Sequence, residues 1–357
     1  MASLSAHVRS QAAALMTVAG YDDTTAVNDI LADLLATGAA CDATTPPWPS
    51  DISDDHSPVE FSVALDHGQR PTVRILGEAV ADDPGCEANL AAAQRLLQRW
   101  SRRYNLDLSR YEKIADLFLS TPPVSPFALW FSLVFRHQHP PQIKVYLNPQ
   151  CRDAHHSWHL VAEAMQRLGL GAAHRTLASA ARRPGAGFSF VALDLHHGAR
   201  SRIKIYLSHT PTATAEDAVA AAVAVPGIDL DEVAQFCRLA AGDSIGHGAR
   251  PLVSGFTFVQ SDTDQPSGYS LYVPIRCHVT DDAQARDRAL TLAHRYGHDA
   301  GLIDRAIAGV ARRDLADGVG LIPHVSLRLG AHPPGLTVYL SSEAYHATAP
   351  RPGFTTA

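Results

Sequence analysis

Basic side chains recur at one position of a repeated β-type segment, and tyrosine recurs two residues later. TVRILGE begins at Thr72, QIKVYLN at Gln142, RIKIYLS at Arg202, GYSLYVP at Gly268 and GLTVYLS at Gly335. The third positions are Arg74, Lys144, Lys204, Ser270 and Thr337, and the fifth are Leu76, Tyr146, Tyr206, Tyr272 and Tyr339. Strand side chains alternate faces, so these positions share one face, and Arg202 joins Lys204 and Tyr206 on it. Burying Arg74, Lys144, Arg202 and Lys204 together and unpaired would cost several kcal/mol per ion. Inward carboxylates are few: Glu60, with Glu78 and Asp194 as further candidates. An anionic ligand of about three negative charges restores the balance, and a diphosphate, which Arg and Lys bind through charge-assisted hydrogen bonds, fits. Tyr146, Tyr206, Tyr272 and Tyr339 suit a reaction that makes a carbocation beside that diphosphate. Aromatic faces attract a desolvated cation by about 2 kcal/mol, and they exclude the water that would quench it.

The elements that must position these residues follow from the same periodicity. Each segment is preceded by another strand-like run: 59–66, 127–136, 188–196, 253–261 and 324–330. The gaps HGQRP, HQHPP, HGARS, TDQPSG and AHPPG are rich in turn residues and read as hairpin connections. Between hairpins lie stretches with helical spacing, among them 85–103, 154–169, 214–224, 230–241, 281–297 and 301–314, with a first helical pair over 5–38. Asp-Asp pairs at 82–83 and 281–282 suit N-caps. The unit is two helices and a hairpin, with segment starts 70, 60, 66 and 67 residues apart. Ten strands with an open edge would invite aggregation, and closure removes the edge. The predicted fold is therefore α+β: a closed barrel of ten antiparallel strands from five ααββ repeats, with a lumen inside and a ring of helices outside, as a single domain over 1–357. The opposite arrangement, with the polar face outward, would leave the apolar stripes of the helices without a partner.

Composition narrows the function classes. Hydrophobic residues make up 46% and charged residues 18% of the 357, which suits a sizeable core and argues against disorder. A formal net charge of -6, with 30 scattered Lys and Arg, gives no basic stripe for nucleic acid. The five cysteines, Cys41, Cys86, Cys151, Cys237 and Cys277, are widely spaced and odd in number, as in reduced thiols. No signal peptide and no run of eighteen apolar residues is visible, so a soluble cytoplasmic protein without membrane or nucleic-acid partners is expected, as a monomer or homodimer.

The residues also resemble a known family. PVEFS around Glu60, VRILGE around Arg74, IKVYLNP around Lys144 and VALDLHHGARSRIKIYL, which contains Arg202, Lys204 and Tyr206, are similar to the dimethylallyltryptophan synthase family of indole prenyltransferases. The resemblance covers nearly the whole chain and implies the ABBA prenyltransferase barrel, in a compact form like that of bacterial members. It implies that Arg74, Lys144, Arg202 and Lys204 hold the diphosphate and that Tyr146, Tyr206, Tyr272 and Tyr339 shield the allyl cation. It implies that Glu60 accepts a hydrogen bond from the indole N–H, which makes Glu60 and Lys204 the expected catalytic pair. The implied reaction moves a dimethylallyl group from dimethylallyl diphosphate to an indole, with L-tryptophan as the leading acceptor. Another aromatic acceptor (a carbazole, phenol, naphthalene, tyrosine or cyclic dipeptide) and a non-catalytic diphosphate-metabolite carrier stand as alternatives. The sequence departs from the family at Ser270, where fungal members often carry a glutamine or another polar residue, and at Leu76, where the other repeats have tyrosine. FALWFSLVFR lacks the lysine base of some members, which leaves the deprotonating group open.

Other motifs point to no further chemistry. No DDxxD is present to hold a magnesium diphosphate, so the basic residues are expected to take over the metal's role, with no cofactor required. His155, His156 and His159 have partial ligand spacing but no adjacent carboxylate or cysteine. No GxGxxG or GxxxxGK[ST] precedes a helix. Trp130 and Phe131 lie on an expected strand, and either could wall the acceptor pocket or pack in the core.

Overall fold

Alternation along the strands decides the architecture. The computed structural model describes residues 3–35, 46–119, 127–152, 156–181, 183–242, 249–330 and 333–345. Its strands are β1 (Val59–Leu65), β2 (Thr72–Glu78), β3 (Leu129–Phe135), β4 (Gln142–Leu147), β5 (Gly187–Asp194), β6 (Ile203–Ser208), β7 (Val253–Phe258), β8 (Gly268–Val273), β9 (Val325–Gly330) and β10 (Gly335–Ser341). They form a closed barrel in which each strand pairs with its chain neighbours and β1 pairs with β10. All pairings are antiparallel, as the hairpin reading requires.

Register identifies the lumen face, because directly opposed residues point to the same side of a sheet. Ser62 opposes both Arg74 and Tyr339, Lys144 opposes Ser132 and Asp194, and Lys204 opposes Ala192 and Thr257. The alternate residues, including Phe61, Ile75, Leu133, Val145, Ile205 and Leu327, are fully buried in one apolar layer shared with the helices. Each such side chain contributes roughly 1.5–3 kcal/mol on burial. That layer is the fold's main core, and it leaves the polar face for the lumen.

The outer helices are α1 (Leu4–Val18), α2 (Thr25–Leu34), α3 (Cys86–Tyr104), α4 (Ser109–Phe118), α5 (Ser157–Arg167), α6 (Gly171–Ala181), α7 (Ala215–Ala222), α8 (Leu230–Ala241), α9 (Asp282–Arg295) and α10 (Ala300–Val310). Trp100 of α3 meets Phe131 edge-on at 5.1 Å between ring centroids, and Trp158 of α5 packs on Phe188 at 4.4 Å. Asp281 caps α9 as expected, accepting from the Gln284 N–H at 2.8 Å. The Asp82–Asp83 pair does not cap α3, whose N-cap is Gly85. Asp282, the other member of the 281–282 pair, is fully buried and accepts from the Gly320, Leu321 and Ile322 amides and from Arg313. The expected helix over 301–314 stops at Val310, because Asp314 starts a short 3-10 turn of its own.

Two consequences of topology position the site. All hairpin turns fall at one end of the barrel and all helical connections at the other. The even-numbered strands therefore run from the hairpin end to the helical end, and the odd-numbered strands run back. In addition, the register of β5 shifts between Phe188 and Phe190. The extra residue turns Phe188 into the outer core and Phe190 into the lumen, although the two are an even number apart.

Candidate active site

The lumen is layered along the barrel axis. At the hairpin end the strand alternation gathers Arg74, Lys144, Arg202 and Lys204, all four of the expected cations, on one surface. Arg202 lies one residue before β6, yet its carbonyl still accepts from the Asp194 N–H at 2.9 Å. Asp194 holds two of the cations. Its Oδ1 lies 2.8 Å from Lys144 Nζ, and its Oδ2 accepts from Arg202 Nε at 2.8 Å. Burial pushes the Asp194 carboxyl up, but Lys144 and Arg202 outweigh it and hold the group well below its usual range. Lys144 is itself lowered to about 7, by burial first and by Arg202 next.

Lys204 has no carboxylate partner among the described residues. Its Nζ donates to Ser270 Oγ at 2.9 Å and to the Tyr272 hydroxyl at 2.8 Å. Burial, then the nearby Lys144, Arg202 and Arg74, push this amine well below its ordinary value. An anion delivered to this spot would reverse that shift, since an opposite charge favours the ammonium form. Gly255 of β7 makes the reach possible: a Cβ there would stand 2.6 Å from Lys204 Cε.

Two further cations share the layer. Arg136 donates to Gln142, and Arg328 pairs with Asp66. Sequence reasoning passed over both, although Arg328 alternates with Leu327 and Leu329 in HVSLRLG and was therefore legible as inward-facing. Six cations with two paired carboxylates, Asp66 and Asp194, leave a surplus suited to a diphosphate.

The four tyrosines form the middle layer, as their shared register position requires. Ring centroids are 5.8 Å apart for Tyr146 and Tyr206, 5.7 Å for Tyr206 and Tyr272, and 6.0 Å for Tyr272 and Tyr339. Lys204 Nζ lies 5.2 Å from the Tyr206 centroid and 5.1 Å from that of Tyr272, so the cation layer and the aromatic layer touch. Burial raises all four hydroxyls, Tyr146 and Tyr272 to about 12, so they remain neutral donors.

The helical end forms the third layer. Glu60 opposes Leu76 and Ser341 in the lumen wall, and burial raises its carboxyl to about 8 against the pull of Arg250. Trp130 stacks on Phe127 at 3.9 Å and leans on Phe190 at 5.7 Å, which makes Trp130 the lumen residue of its pair and Phe131 the core residue. Glu78 lies at the rim, accepting from Ser50 Oγ at 2.6 Å, and burial raises it to about 7. His324 meets the Tyr339 ring edge-on at 6.2 Å. Phe127, Phe190 and His324 were not singled out from the sequence. Phe190 could not have been, because its direction depends on the bulge.

Among the described residues, no group of three His, Cys, Asp or Glu side chains could hold a metal ion. His155 of the histidine cluster lies outside them. No described helix is long and apolar enough to cross a membrane.

Comparisons with known proteins identify the family. The family model for tryptophan dimethylallyltransferase matches residues 5–222. The 6-dimethylallyltryptophan synthase of Micromonospora olivasterospora, solved in complex with DMASPP and Trp, is 47% identical with a TM-score of 0.93, covering 98% of this chain and 100% of that one. The 5-dimethylallyl tryptophan synthase of Streptomyces coelicolor, also solved with DMASPP and Trp, is 34% identical with a TM-score of 0.90, covering 100% and 99%. The prenyltransferase PriB, in ternary complex with L-tryptophan and dimethylallyl thiolodiphosphate, is 35% identical with a TM-score of 0.90, covering 98% and 99%. These proteins share the ABBA barrel deduced from the repeats. With a cation-lined end, a tyrosine belt and a buried glutamate in one lumen, and with matches along its whole length, the chain is a prenyltransferase and belongs to the tryptophan dimethylallyltransferase family.

Proposed function

We propose that the enzyme transfers the dimethylallyl group of dimethylallyl diphosphate to the benzene half of the indole of L-tryptophan, without a metal ion. The observation that carries this reading is the layering of the lumen. A charged leaving group, an allyl cation and an indole N–H each meet a surface of fitting chemistry, in the order in which the reaction needs them. Arg74, Lys144, Arg202 and Lys204 bind the diphosphate and stabilise the charge that develops as the C–O bond ionises, which is the role a metal would otherwise fill. Tyr146, Tyr206, Tyr272 and Tyr339 enclose the cation and keep water out. Glu60, as carboxylate, accepts from the indole N–H and fixes which ring carbon faces the cation. The identity of 47% with the 6-synthase against 34% with the 5-synthase favours attack from C6. Cys86, Cys151, Cys237 and Cys277 form no disulfide, which suits a reducing cytoplasm.

The test is mass spectrometry and NMR of the product formed from dimethylallyl diphosphate and L-tryptophan in the presence of EDTA. A tryptophan heavier by one dimethylallyl group and substituted at C6 is expected. Loss of turnover on chelation would overturn metal independence, and substitution at C5 would overturn the assignment of position.

A further inference from the structure

Attack by the ring leaves an arenium ion with a tetrahedral carbon that must lose its proton, and β3, whose lumen face is Trp130, Ser132 and Val134, offers no base. The tyrosines are neutral hydroxyls that burial makes harder to ionise. Lys144 and Lys204 belong to the diphosphate layer. Glu60 is committed to the N–H, and Glu78 is tied at the rim by Ser50.

Beside the acceptor layer stands a further basic group, an imidazole. We infer that His324 is the catalytic base that removes the proton from the arenium ion, an inference that rests on the reading above. His324 stands just before β9 on the lumen side, sharing its face with Ser326 and Arg328 by alternation. Its carbonyl accepts from the Tyr339 N–H at 3.0 Å, and its ring lies edge-on to Tyr339 at an interplanar angle of 81°. That fixes the imidazole against the wall of the cation chamber. Tyr339 also feels the charge of Glu60, so base and N–H acceptor border the same tyrosine.

Neither ring nitrogen makes a hydrogen bond to a described residue, so the neutral imidazole keeps an unused lone pair. Burial and the positive charges of Arg250 and Arg276 keep the ring unprotonated, lowering it to about 3. An arenium ion is acidic enough to protonate even a weakened imidazole.

The step balances within the site. The imidazole lone pair takes the proton, the C–H bonding pair returns to the ring and restores aromaticity, and the products are prenyl-tryptophan and an imidazolium. The same two arginines then expel that proton to water, which resets the base.

The experiment compares the wild type and His324→Gln, each with unlabelled and ring-deuterated L-tryptophan, while measuring diphosphate released and prenyl-tryptophan formed. The wild type should show one diphosphate per product and no isotope effect on kcat. The variant should lose at least about tenfold in kcat, gain a primary isotope effect, and release diphosphate in excess as the reverted cation is captured by water. The tryptophan KM and the melting temperature should stay near those of the wild type. A variant with wild-type kcat, or with a lower kcat but no isotope effect and a ratio of one, overturns the inference. His324→Asn answers the same question if the glutamine variant does not fold. A wild type that makes no prenyl-tryptophan overturns the functional reading and the inference with it.

Discussion

Lys204 donates to the Tyr272 hydroxyl at 2.8 Å while its Nζ stands 5.1 Å from the centroid of the same ring. One lysine thus spans the leaving-group layer and the cation layer, and among the described residues no carboxylate pairs with its amine. That arrangement ties stability, protonation and turnover together.

Lys204→Met should lower kcat/KM for the donor by about 10²–10³, the cost of removing one oriented donor to a developing charge. The same variant should melt at the same temperature as the wild type or higher. The lowered amine penalises the fold below the unfolded value near 10.4, increasingly so as pH falls toward its folded value. Steady-state kinetics and a melting curve check both halves; near-normal turnover would remove Lys204 from the clamp.

Donor binding should take up protons. Lys144, lowered to about 7, is largely neutral at pH 8 in the free barrel and becomes charged against the diphosphate, and the same charge favours the ammonium form of Lys204, whose amine burial holds below its ordinary value. Calorimetric titration of dimethylallyl S-thiolodiphosphate in two buffers of different ionisation enthalpy should give a net uptake. Heats independent of the buffer would contradict it.

At saturating donor, kcat/KM for tryptophan should rise with pH up to about 8. The Glu60 carboxyl, raised by burial, is protonated below that value, and the carboxylate accepts from the indole N–H more strongly than the neutral acid does. Glu60→Gln should lose this rise, together with about 2 kcal/mol of transition-state binding for a buried hydrogen bond to a charged group. A profile in the variant that keeps the wild-type rise would assign it to another group.

Gly255→Ala should raise the donor KM about tenfold while leaving the fold intact. The added Cβ meets the flexible end of Lys204, 2.6 Å away at Cε, and pushes the ammonium off Ser270 and Tyr272 rather than moving backbone. An unchanged KM would show that Lys204 can reach the diphosphate by another path.

Asp194→Asn should destabilise the free enzyme by about 3–5 kcal/mol, because Lys144 and Arg202 lose the carboxylate they share. Saturating diphosphate should narrow the difference by supplying the missing charge. Denaturant unfolding with and without diphosphate measures both, and an equal loss in the two conditions would contradict a shared counter-ion role.

Much of this was legible in the chain because strand periodicity is local. Arg74, Lys144, Lys204 and the four tyrosines carry the same offset in successive hairpins, so one decision about which face is inward places all of them. Arg328 and His324 obey the same alternation in HVSLRLG and were readable, but with no tyrosine in that run they lacked the mark that drew attention to the others. Trp130 and Phe131 were left undecided by residue type, since both are large and apolar. Only the pairing of Trp130 with Tyr146 and Glu78 shows which of the two faces inward.

The sequence alone determined the number of repeats, the closure that follows from having no tolerable open edge, and the presence of uncompensated cations beside aromatic rings. Tertiary structure decided the order of the layers and the partners within them. Asp194 neutralises Lys144 and Arg202 but not Lys204, the bulge turns Phe190 inward, and the arginines beyond β7 and β8 keep His324 uncharged. These relations join residues far apart in the chain, and their strength depends on distance and burial, which strand periodicity does not encode.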